Sequence, residues 1–252
     1  MIVNYKLNNS YEKFKDFLLN IQDYFNENSQ TIHKARNELK IINFNDTDTV
    51  VKSFKVPNCI NKIIYTYIRK SKAKRSYEYS LKIKDFVPKP IGYIEFNKSW
   101  FLNESYFISE RFNYDFTIRE ALKRNIKDAS EDDYISIYKA FAYFTYQLHE
   151  QNIFHDDYSP GNILIKKEDD KYIFKIVDIN RMAFNPLDSI QRAKNFEKLW
   201  ANDYILEVMA KEYITHYKDA SDSFIDDVLY FSNKNKKIKN FKKRLKGKPV
   251  TD

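Results

Sequence analysis

The amino-acid sequence predicts an α+β fold of two lobes, the first rich in β-strands and the second mainly helical. Up to Phe112, short runs of β-branched and aromatic residues alternate with polar breaks, which is typical of antiparallel strands. After Phe112, apolar residues recur mostly at helical spacing. The chain has 252 residues, of which 43% are hydrophobic and 17% aromatic, enough for packed interiors. We therefore expect one domain, with a first lobe over residues 1–112 and a second over residues 113–252.

The first lobe is expected to hold a five-stranded antiparallel sheet, one inserted helix and an N-terminal helix. Apolar residues between Tyr11 and Phe25 recur at helical spacing, which predicts the N-terminal helix. A second helical stretch, from about Lys72 to Ile83, predicts the inserted helix. The strands are expected near residues 31–33, 39–44, 50–54, 91–96 and 105–112, and the first three form a meander.

The second lobe is expected to contain helices around two short strands. The stretch from Tyr134 to His149 is strongly periodic and predicts a long helix. Two apolar runs at residues 162–165 and 172–177 predict the strands. The remainder, residues 189–230, predicts further helices.

The composition fits a globular protein of a reducing compartment. Cys59 is the single cysteine, which excludes an intramolecular disulfide and a cysteine-rich metal site. The sequence opens without the basic and apolar regions of a secretory signal. Its most apolar stretch, Ala140 to Leu148, is far shorter than the ~20 residues that a membrane-spanning helix needs. We therefore expect a cytoplasmic protein.

A strongly basic tail ends the chain and accounts for much of the net charge of +8. Its cations are Lys234, Lys236, Lys237, Lys239, Lys242, Lys243, Arg244, Lys246 and Lys248. Such a tail attracts a phosphorylated lipid, an anionic membrane surface or nucleic acid. A solvated, frayed end is an equally good interpretation of the same residues.

The most informative segment is His-Asp-Asp-Tyr-Ser-Pro-Gly-Asn at residues 155–162, which has the spacing H-x-D-x-x-x-x-N. Phosphoryl transfer from ATP needs a carboxylate to accept the proton of the attacking hydroxyl and oxygen ligands for Mg²⁺. Asp157 and Asn162 are the candidates for the base and for one metal ligand. Asp178 lies sixteen positions beyond Asn162, at the end of the next predicted strand, and is the candidate for a second metal ligand.

These motifs resemble those of a known family. Residues 155–180 resemble the catalytic segment of eukaryotic-like kinases, and His-Asp-Asp-Tyr-Ser-Pro-Gly-Asn-Ile-Leu followed by Ile-Val-Asp-Ile-Asn-Arg-Met is most similar to the bacterial lipopolysaccharide kinases that act on Kdo and heptose of the inner core. Residues 50–57 and 71–78 extend the similarity. The resemblance implies transfer of the ATP γ-phosphate to a sugar hydroxyl of a lipid-linked core, with Asp157 as base and Asn162 and Asp178 as Mg²⁺ ligands.

The first lobe offers candidates for holding the nucleotide. A kinase needs a lysine on its third strand for the α- and β-phosphates and a helix glutamate to hold that lysine. Lys52 and Glu78 fit these roles, and Lys52 is preferred to Lys55 because Lys55 abuts the end of the strand. No glycine precedes residue 92, so a glycine-rich loop is absent from the sequence and Arg36, in the first hairpin turn, is expected to lie near phosphate instead.

Two further residues flank the catalytic segment. His155 is expected to hold the catalytic loop and the Asp178 turn together. Arg181 follows that turn, and it is expected either to contact an anionic sugar or to pin the loop. Asp178-Ile179-Asn180 replaces the Asp-Phe-Gly of protein kinases and no Ala-Pro-Glu follows, which argues against a protein kinase.

Two alternatives stay open beside the lipopolysaccharide kinase. One is a small-molecule phosphotransferase of the aminoglycoside or choline kinase type, and the other is a non-catalytic binding module on a kinase-like fold. The basic tail suits a glycolipid acceptor at an anionic inner-membrane surface better than a soluble metabolite, and no nucleic-acid partner is expected. The sequence makes no prediction about the oligomeric state.

Overall fold

The protein is described by a computed structural model that covers residues 2–34, 37–54, 70–98, 101–169 and 171–250. The chain divides into two compact units, Met1–Phe112 and Asn113–Asp252. The first is an antiparallel sheet with short helices, and the second is mainly helical with short strands.

The first unit is built on a six-stranded sheet in which every neighbouring pair is antiparallel, in the order β1-β5-β6-β4-β3-β2. Its strands are β1 (Ile2–Leu7), β2 (Thr31–Lys34), β3 (Asn37–Phe44), β4 (Thr47–Phe54), β5 (Pro90–Lys98) and β6 (Phe101–Glu110). Its helices are α1 (Lys15–Leu19), α2 (Ile21–Glu27) and α3 (Lys72–Lys82), with short 3-10 helices at Asn9–Phe14 and Lys84–Phe86.

The sheet has one strand more than the sequence predicts. The additional strand is β1, which lies at the sheet edge with residues 2–6 exposed, so its sequence lacks the buried alternation that predicts a strand. Gly92 stands opposite Leu7 across the β1–β5 pair, and a Cβ at Gly92 would lie 2.8 Å from the Lys6 carbonyl oxygen. The close approach of β1 therefore depends on a glycine at this position.

The prediction of one continuous N-terminal helix is wrong, but the residues predicted to form its apolar face are buried together. The stretch is a 3-10 helix followed by α1 and α2, with breaks at Tyr11, where φ is −125°, and at Asn20. The apolar residues that gave the helical spacing still pack together against one face of the sheet: Phe14, Phe17, Leu18, Ile21 and Phe25. The core contacts therefore follow the periodicity although the backbone does not.

The opposite face of the sheet packs against α3, the predicted inserted helix. Phe54 of β4 and Tyr93 of β5 form a buried cluster with Ala73 and Tyr77 of this helix. The helix begins after Ser71, whose hydroxyl accepts a hydrogen bond from the Lys74 backbone N–H.

The second unit is a set of helices around two small sheets. Its helices are α4 (Ile118–Leu122), α5 (Glu131–Glu150), α6 (Ser189–Lys194), α7 (Asp203–His216) and α8 (Phe224–Arg244), with 3-10 helices at Pro160–Asn162 and Asn195–Lys198. Its strands are β7 (Phe116–Thr117), β8 (Ile153–His155), β9 (Ile163–Glu168), β10 (Lys171–Ile176) and β11 (Met182–Phe184). They pair as β10-β9-β7 and β11-β8.

The long helix α5 forms the centre of this unit. It begins with a capping box, in which Ser130 and Asp133 satisfy each other's backbone N–H groups. Phe141 stacks on the ring of Tyr158 in the catalytic segment, with centroids 5.6 Å apart. Thr145 is hydrogen-bonded to the hydroxyl of the same tyrosine at 2.9 Å. The helix thus packs against the segment at residues 155–162 through Tyr158.

The basic tail is helical as far as Arg244, where α8 ends. Two of its residues anchor it to the preceding segment. Asn235 Nδ2 donates to the Glu197 carbonyl at 2.7 Å, and Lys236 Nζ donates to the Ala201 carbonyl at 2.6 Å. Within the described residues, no helix combines the length and the apolar character needed to cross a membrane.

Candidate active site

The β9–β10 hairpin places Asn162 and Asp178 at the same end. Ile163 is paired with Ile176 in the register of the hairpin, and the next N–H along, that of Val177, donates to the Asn162 carbonyl at 2.9 Å. Asp178 follows Val177 directly. The two candidate metal ligands therefore lie close together, because Asn162 directly precedes β9 and Asp178 follows the end of β10 by two residues.

Asp157 is joined to the same end through Asn162. The Asn162 side-chain Nδ2 donates to the Asp157 carbonyl at 3.1 Å, and the Ser159 N–H donates to the same carbonyl at 2.7 Å. These bonds fix the tight turn between β8 and the hairpin. They also orient the Asn162 amide so that its nitrogen is used within the loop, while its Oδ1 is the atom type that a hard cation binds.

His155 lies beneath this loop and is buried. Its Nδ1 accepts a hydrogen bond from the Asp157 backbone N–H at 3.0 Å, which fixes the neutral tautomer with the proton on Nε2. Burial lowers the pKa of His155 to about 4, although the nearby carboxylates of Asp157 and Asp178 favour the charged ring. The histidine is therefore neutral and hydrogen-bonded to the loop at residues 155–162. That it holds this loop and the Asp178 turn together stays a prediction.

Asp178 adopts an unusual backbone conformation, with φ at +59°. This left-handed region is uncommon for residues other than glycine, and such strain concentrates at functional sites. The buried Asn180 side chain donates to Asp178 Oδ1 at 2.6 Å and holds the carboxylate in place. Asn180 therefore has a positioning role that its sequence pattern did not reveal.

Arg181 contacts the candidate base directly. Its Nη2 donates to Asp157 Oδ2 at 2.6 Å, and its carbonyl accepts from the Asp156 N–H at 3.1 Å. Arg181 is therefore bonded to the loop at two points, and its expected role in pinning the loop stays a prediction. Contact with an anionic sugar stays a prediction.

A buried polar network behind the loop was not predicted from the sequence. His149 Nδ1 is 2.7 Å from the Tyr213 hydroxyl, and its Nε2 is 3.0 Å from Asn195 Oδ1. Asn195 Nδ2 in turn donates to the His155 carbonyl at 3.0 Å. Burial, assisted by the charge of Arg192, lowers the pKa of His149 to about 3. Helices α5 and α7 and the 3-10 helix Asn195–Lys198 are thereby connected to His155.

In the first unit, Lys52 and Glu78 lie on β4 and α3 as expected. The Lys52 ammonium is 5.3 Å from the centre of the Phe54 ring, so both side chains lie on the sheet face that α3 covers. Among the described residues, Glu78 forms its ion pair with Lys70, at 2.8 Å. The expected pair between Lys52 and Glu78 is therefore not the one that this structure contains. Arg36 and the alternative lysine, Lys55, lie outside the described residues.

The donor chemistry of the site suits Mg²⁺. Asn162 and Asp178 supply oxygen atoms, and Mg²⁺ is usually bound by one or two protein carboxylates together with substrate phosphates. In the described parts of the chain, no group of three or more His, Cys, Asp or Glu side chains is arranged to hold a metal ion. A metal held by few protein ligands and completed by nucleotide phosphates fits this arrangement.

A cavity of about 340 Å³ lies beside Asp157. Sequence reasoning missed the residues that surround it, because they come from distant positions and have no common periodicity. They include Arg119, Lys123, Lys198, Trp200 and Lys239.

Comparisons with known proteins identify the fold. No protein-family model and no curated protein matches the sequence. The structure is similar to that of WaaP in complex with acyl carrier protein, with a TM-score of 0.60 and 10% sequence identity over 93% of this chain and 99% of that chain. The chain has a kinase-like fold. The predicted two-lobed α+β fold is therefore confirmed.

A second solved structure shows a weaker similarity. It is a double mutant of the PknI kinase domain of Mycobacterium tuberculosis, with a TM-score of 0.44 and 9% identity over 82% of this chain and 94% of that chain.

Proposed function

We propose that this chain is an ATP-dependent phosphotransferase that phosphorylates a sugar hydroxyl, of Kdo or heptose, in the inner core of lipopolysaccharide. The main support is the hydrogen-bonded arrangement of Asp157, Asn162 and Asp178 at one end of the β9–β10 hairpin. The kinase-like fold and the resemblance of the catalytic segment to lipopolysaccharide kinases agree with this function. The identity of the sugar rests on the sequence resemblance alone.

The reaction is a direct transfer in which Asp157 is the base. The acceptor oxygen attacks the γ-phosphorus, its proton passes to the Asp157 carboxylate, and the bond from the γ-phosphorus to the β–γ bridging oxygen breaks. The products are a sugar phosphate monoester and ADP. Arg181 shares the Asp157 carboxylate and keeps it oriented toward the acceptor. When bound by Asn162 and Asp178, Mg²⁺ neutralises charge on the nucleotide phosphates.

Lys52 binds the α- and β-phosphates in this proposal, and Glu78 holds Lys52. Because Glu78 is paired with Lys70, nucleotide binding requires Glu78 to exchange Lys70 for Lys52. The Lys70 side chain is more than half exposed, and exposed ion pairs contribute only about 0–1 kcal/mol, so this exchange costs little. Arg36 takes the place of a glycine-rich loop near the phosphates.

ATP turnover by the purified protein with Mg²⁺ tests the chemistry. Asp157→Ala and Asp178→Ala should each lower the rate by about 10²-fold or more, since a base and a metal ligand are lost. Lys194→Ala is the matched control, because Lys194 is exposed and outside the site. Rates unchanged in both aspartate variants would exclude the mechanism.

Mass spectrometry of lipopolysaccharide tests the acceptor. Cells without the gene should lack one phosphate per core, and the intact gene should restore it while the Asp157→Ala gene should not. Identical spectra in all strains would exclude the lipopolysaccharide acceptor and leave the small-molecule phosphotransferase, for which aminoglycosides and choline are the acceptors to assay.

A second candidate, a non-catalytic kinase-like binding module, is favoured by two observations. Glu78 forms its ion pair with Lys70 rather than with Lys52, and the first lobe has no glycine-rich loop. Lys70→Ala separates the two candidates. A phosphotransferase should turn over ATP, and its rate should stay the same or rise in Lys70→Ala because Lys70 no longer competes for Glu78. A binding module should have no turnover in the wild type or in the variant.

We further propose that α8 holds the protein at an anionic inner-membrane surface. The C-terminal part of the helix exposes Ile238 and Phe241, and Leu245, the residue that follows the helix, is exposed as well. Their spacing of three and four residues, with Leu245 still in a helical conformation, places them on one face. Lysine and arginine side chains flank this face, and an apolar stripe bordered by cations is typical of helices that lie in a membrane interface.

Vesicle co-sedimentation tests this surface. The protein should bind phosphatidylglycerol vesicles more tightly than phosphatidylcholine vesicles, and Phe241→Gln with Leu245→Gln should weaken binding without unfolding, because both side chains are exposed. Unchanged binding by the double variant would exclude the apolar stripe. Since WaaP was solved with acyl carrier protein, that protein is the competing occupant, and preferential binding to it would overturn the membrane assignment.

A further inference from the structure

The cavity beside Asp157 is positioned to hold a substrate. All of its described lining residues belong to the second unit, and they come from the catalytic loop, from α4 and the residue after it, from the segment Lys198–Trp200 and from α8. Its volume of about 340 Å³ lies within the range of small-molecule sites. A molecule bound here contacts the residue that would accept the proton of a reacting hydroxyl.

The charge of this cavity favours an anion. Among its described lining residues are four cations, Arg119, Lys123, Lys198 and Lys239, against the one carboxylate of Asp157. That carboxylate is also paired with a fifth cation, Arg181, at 2.6 Å. Like charges around a single cavity repel one another, and an anion bound among them relieves this repulsion.

The position of Arg119 depends on Gly161 of the catalytic loop. A Cβ at Gly161 would lie 2.4 Å from Arg119 Nη2 and 2.9 Å from its Cζ, so the guanidinium lies directly against the loop backbone. Any side chain at residue 161 would displace it. A planar guanidinium offers paired donors that match a phosphate or a carboxylate.

Trp200 provides a flat apolar surface in the same cavity. Its φ of +59° is rare for a bulky residue and marks a strained conformation at a site of interest. Helix α8 contacts this segment. Its Lys243 ammonium lies 5.4 Å from the centre of the indole ring, and its Asn235 and Lys236 side chains donate to backbone carbonyls on either side of Trp200. An apolar ring beside convergent cations suits a molecule with both a ring face and a charged group.

We infer that this cavity binds the phosphate acceptor and that the acceptor is an anionic saccharide. Its phosphate or carboxylate group contacts Arg119, Lys123 and Lys239, and its ring lies against Trp200. The role of Asp157 toward this ligand rests on the proposed phosphotransferase function, whereas binding itself requires no nucleotide. Helix α8 is thus a wall of the acceptor site as well as the basic end of the chain.

Fluorescence of Trp200 gives a direct assay of binding. Trp100 and Trp200 are the two tryptophans of the chain, so Trp100→Phe leaves Trp200 as the reporter. We would titrate this variant with glucose 6-phosphate, glucuronate, glucose and inorganic phosphate, without ATP. Glucose 6-phosphate or glucuronate should bind at least about tenfold more tightly than glucose or phosphate, because each of the latter makes only one of the two contacts.

Charge variants locate the ligand. Lys239→Ala and Lys123→Ala should each weaken binding of the anionic sugar about tenfold, because each removes one charge-assisted contact. Both side chains are exposed, so these variants should fold. Lys194→Ala removes the same charge from an exposed position outside the cavity and should leave binding unchanged.

Several results would overturn the inference. If glucose binds as tightly as the charged sugars, the ligand need not be anionic. If inorganic phosphate binds as tightly as glucose 6-phosphate, the ligand need not be a saccharide. Equal losses in Lys194→Ala and Lys239→Ala would mean attraction by overall charge only. The tighter of the two charged sugars shows whether the group is phosphate or carboxylate. Binding without ATP turnover supports an anionic-saccharide site in the cavity but rejects the proposed function and, with it, the role of the ligand as acceptor. Turnover without binding rejects the saccharide site alone.

Discussion

Mild acid is expected to destabilise the folded chain through two buried histidines. Burial lowers the pKa of His149 to about 3 and that of His155 to about 4, whereas histidine in an unfolded chain has a pKa of about 6.5. Between these values the unfolded chain binds protons that the folded chain does not. The free energy of unfolding is therefore highest above pH 6.5 and falls as the pH drops below it.

The size of this effect follows from the pKa differences. A full proton of difference changes the free energy of unfolding by about 1.4 kcal/mol per pH unit. Integrated from pH 7 to pH 5, each histidine removes about 2 kcal/mol, and the two together remove about 4 kcal/mol. That is a large share of the ~5–15 kcal/mol by which proteins are stable. Ordinary carboxylates titrate mainly below this window, at about pH 4.

Chemical denaturation at pH 7, 6 and 5 measures the effect. In His149→Gln the stability lost between pH 7 and pH 5 should fall by about 2 kcal/mol, because the neutral amide cannot titrate. His216→Gln is the matched control, since His216 is partly exposed and lies 3.1 Å from the Glu212 carboxylate. This variant should lose nearly as much stability between pH 7 and pH 5 as the wild type. A His149→Gln protein that loses as much stability as wild type would refute the reasoning.

Three further substitutions test single contacts. Asn195→Ala should lower stability by about 2–4 kcal/mol in denaturant melts, because His149 Nε2 and the His155 carbonyl lose their buried partner; a loss below 1 kcal/mol would contradict this. Gly92→Ala should cost about 1–3 kcal/mol by the same measurement, since its Cβ meets the β1 backbone, and wild-type stability would show that β1 can shift freely. Gly161→Ala should leave the melting temperature nearly unchanged yet weaken glucose 6-phosphate binding about tenfold in the Trp200 fluorescence assay; wild-type affinity would place Arg119 outside the ligand site.

The parts of the fold that the sequence predicted are those with a buried face. Helix α5 and the strands β9 and β10 follow the predicted ranges within about three residues, because packing against a core imposes the period of the element on its sequence. The edge strand β1 was missed since its residues are exposed, and the break at Asn20 was missed since the apolar spacing continues across it. Periodicity reports burial, and it reports backbone continuity only indirectly.

The candidate site shows the same division. Asp157, Asn162 and Asp178 were identifiable because the chemistry fixes their spacing within one short segment. Lys70 was not identifiable as the partner of Glu78, because the seven residues between them include the start of α3 and the pairing depends on side-chain reach. The cavity cations were not identifiable either, since only tertiary contacts bring them together.

Helix α8 connects the two proposals about the acceptor. Asn235 and Lys239 are one turn apart and lie toward the catalytic loop, where they line the cavity. Ile238 and Phe241 of the same helix and Leu245 directly after it lie on one exposed face. A helix that lies on a membrane by this exposed face would hold the cavity within a few residues of the lipid surface, where a lipid-linked sugar is found. Because Lys239 lines the cavity and Phe241 lies on the exposed face, Lys239→Ala should weaken sugar binding more than vesicle binding, and Phe241→Gln should weaken vesicle binding only.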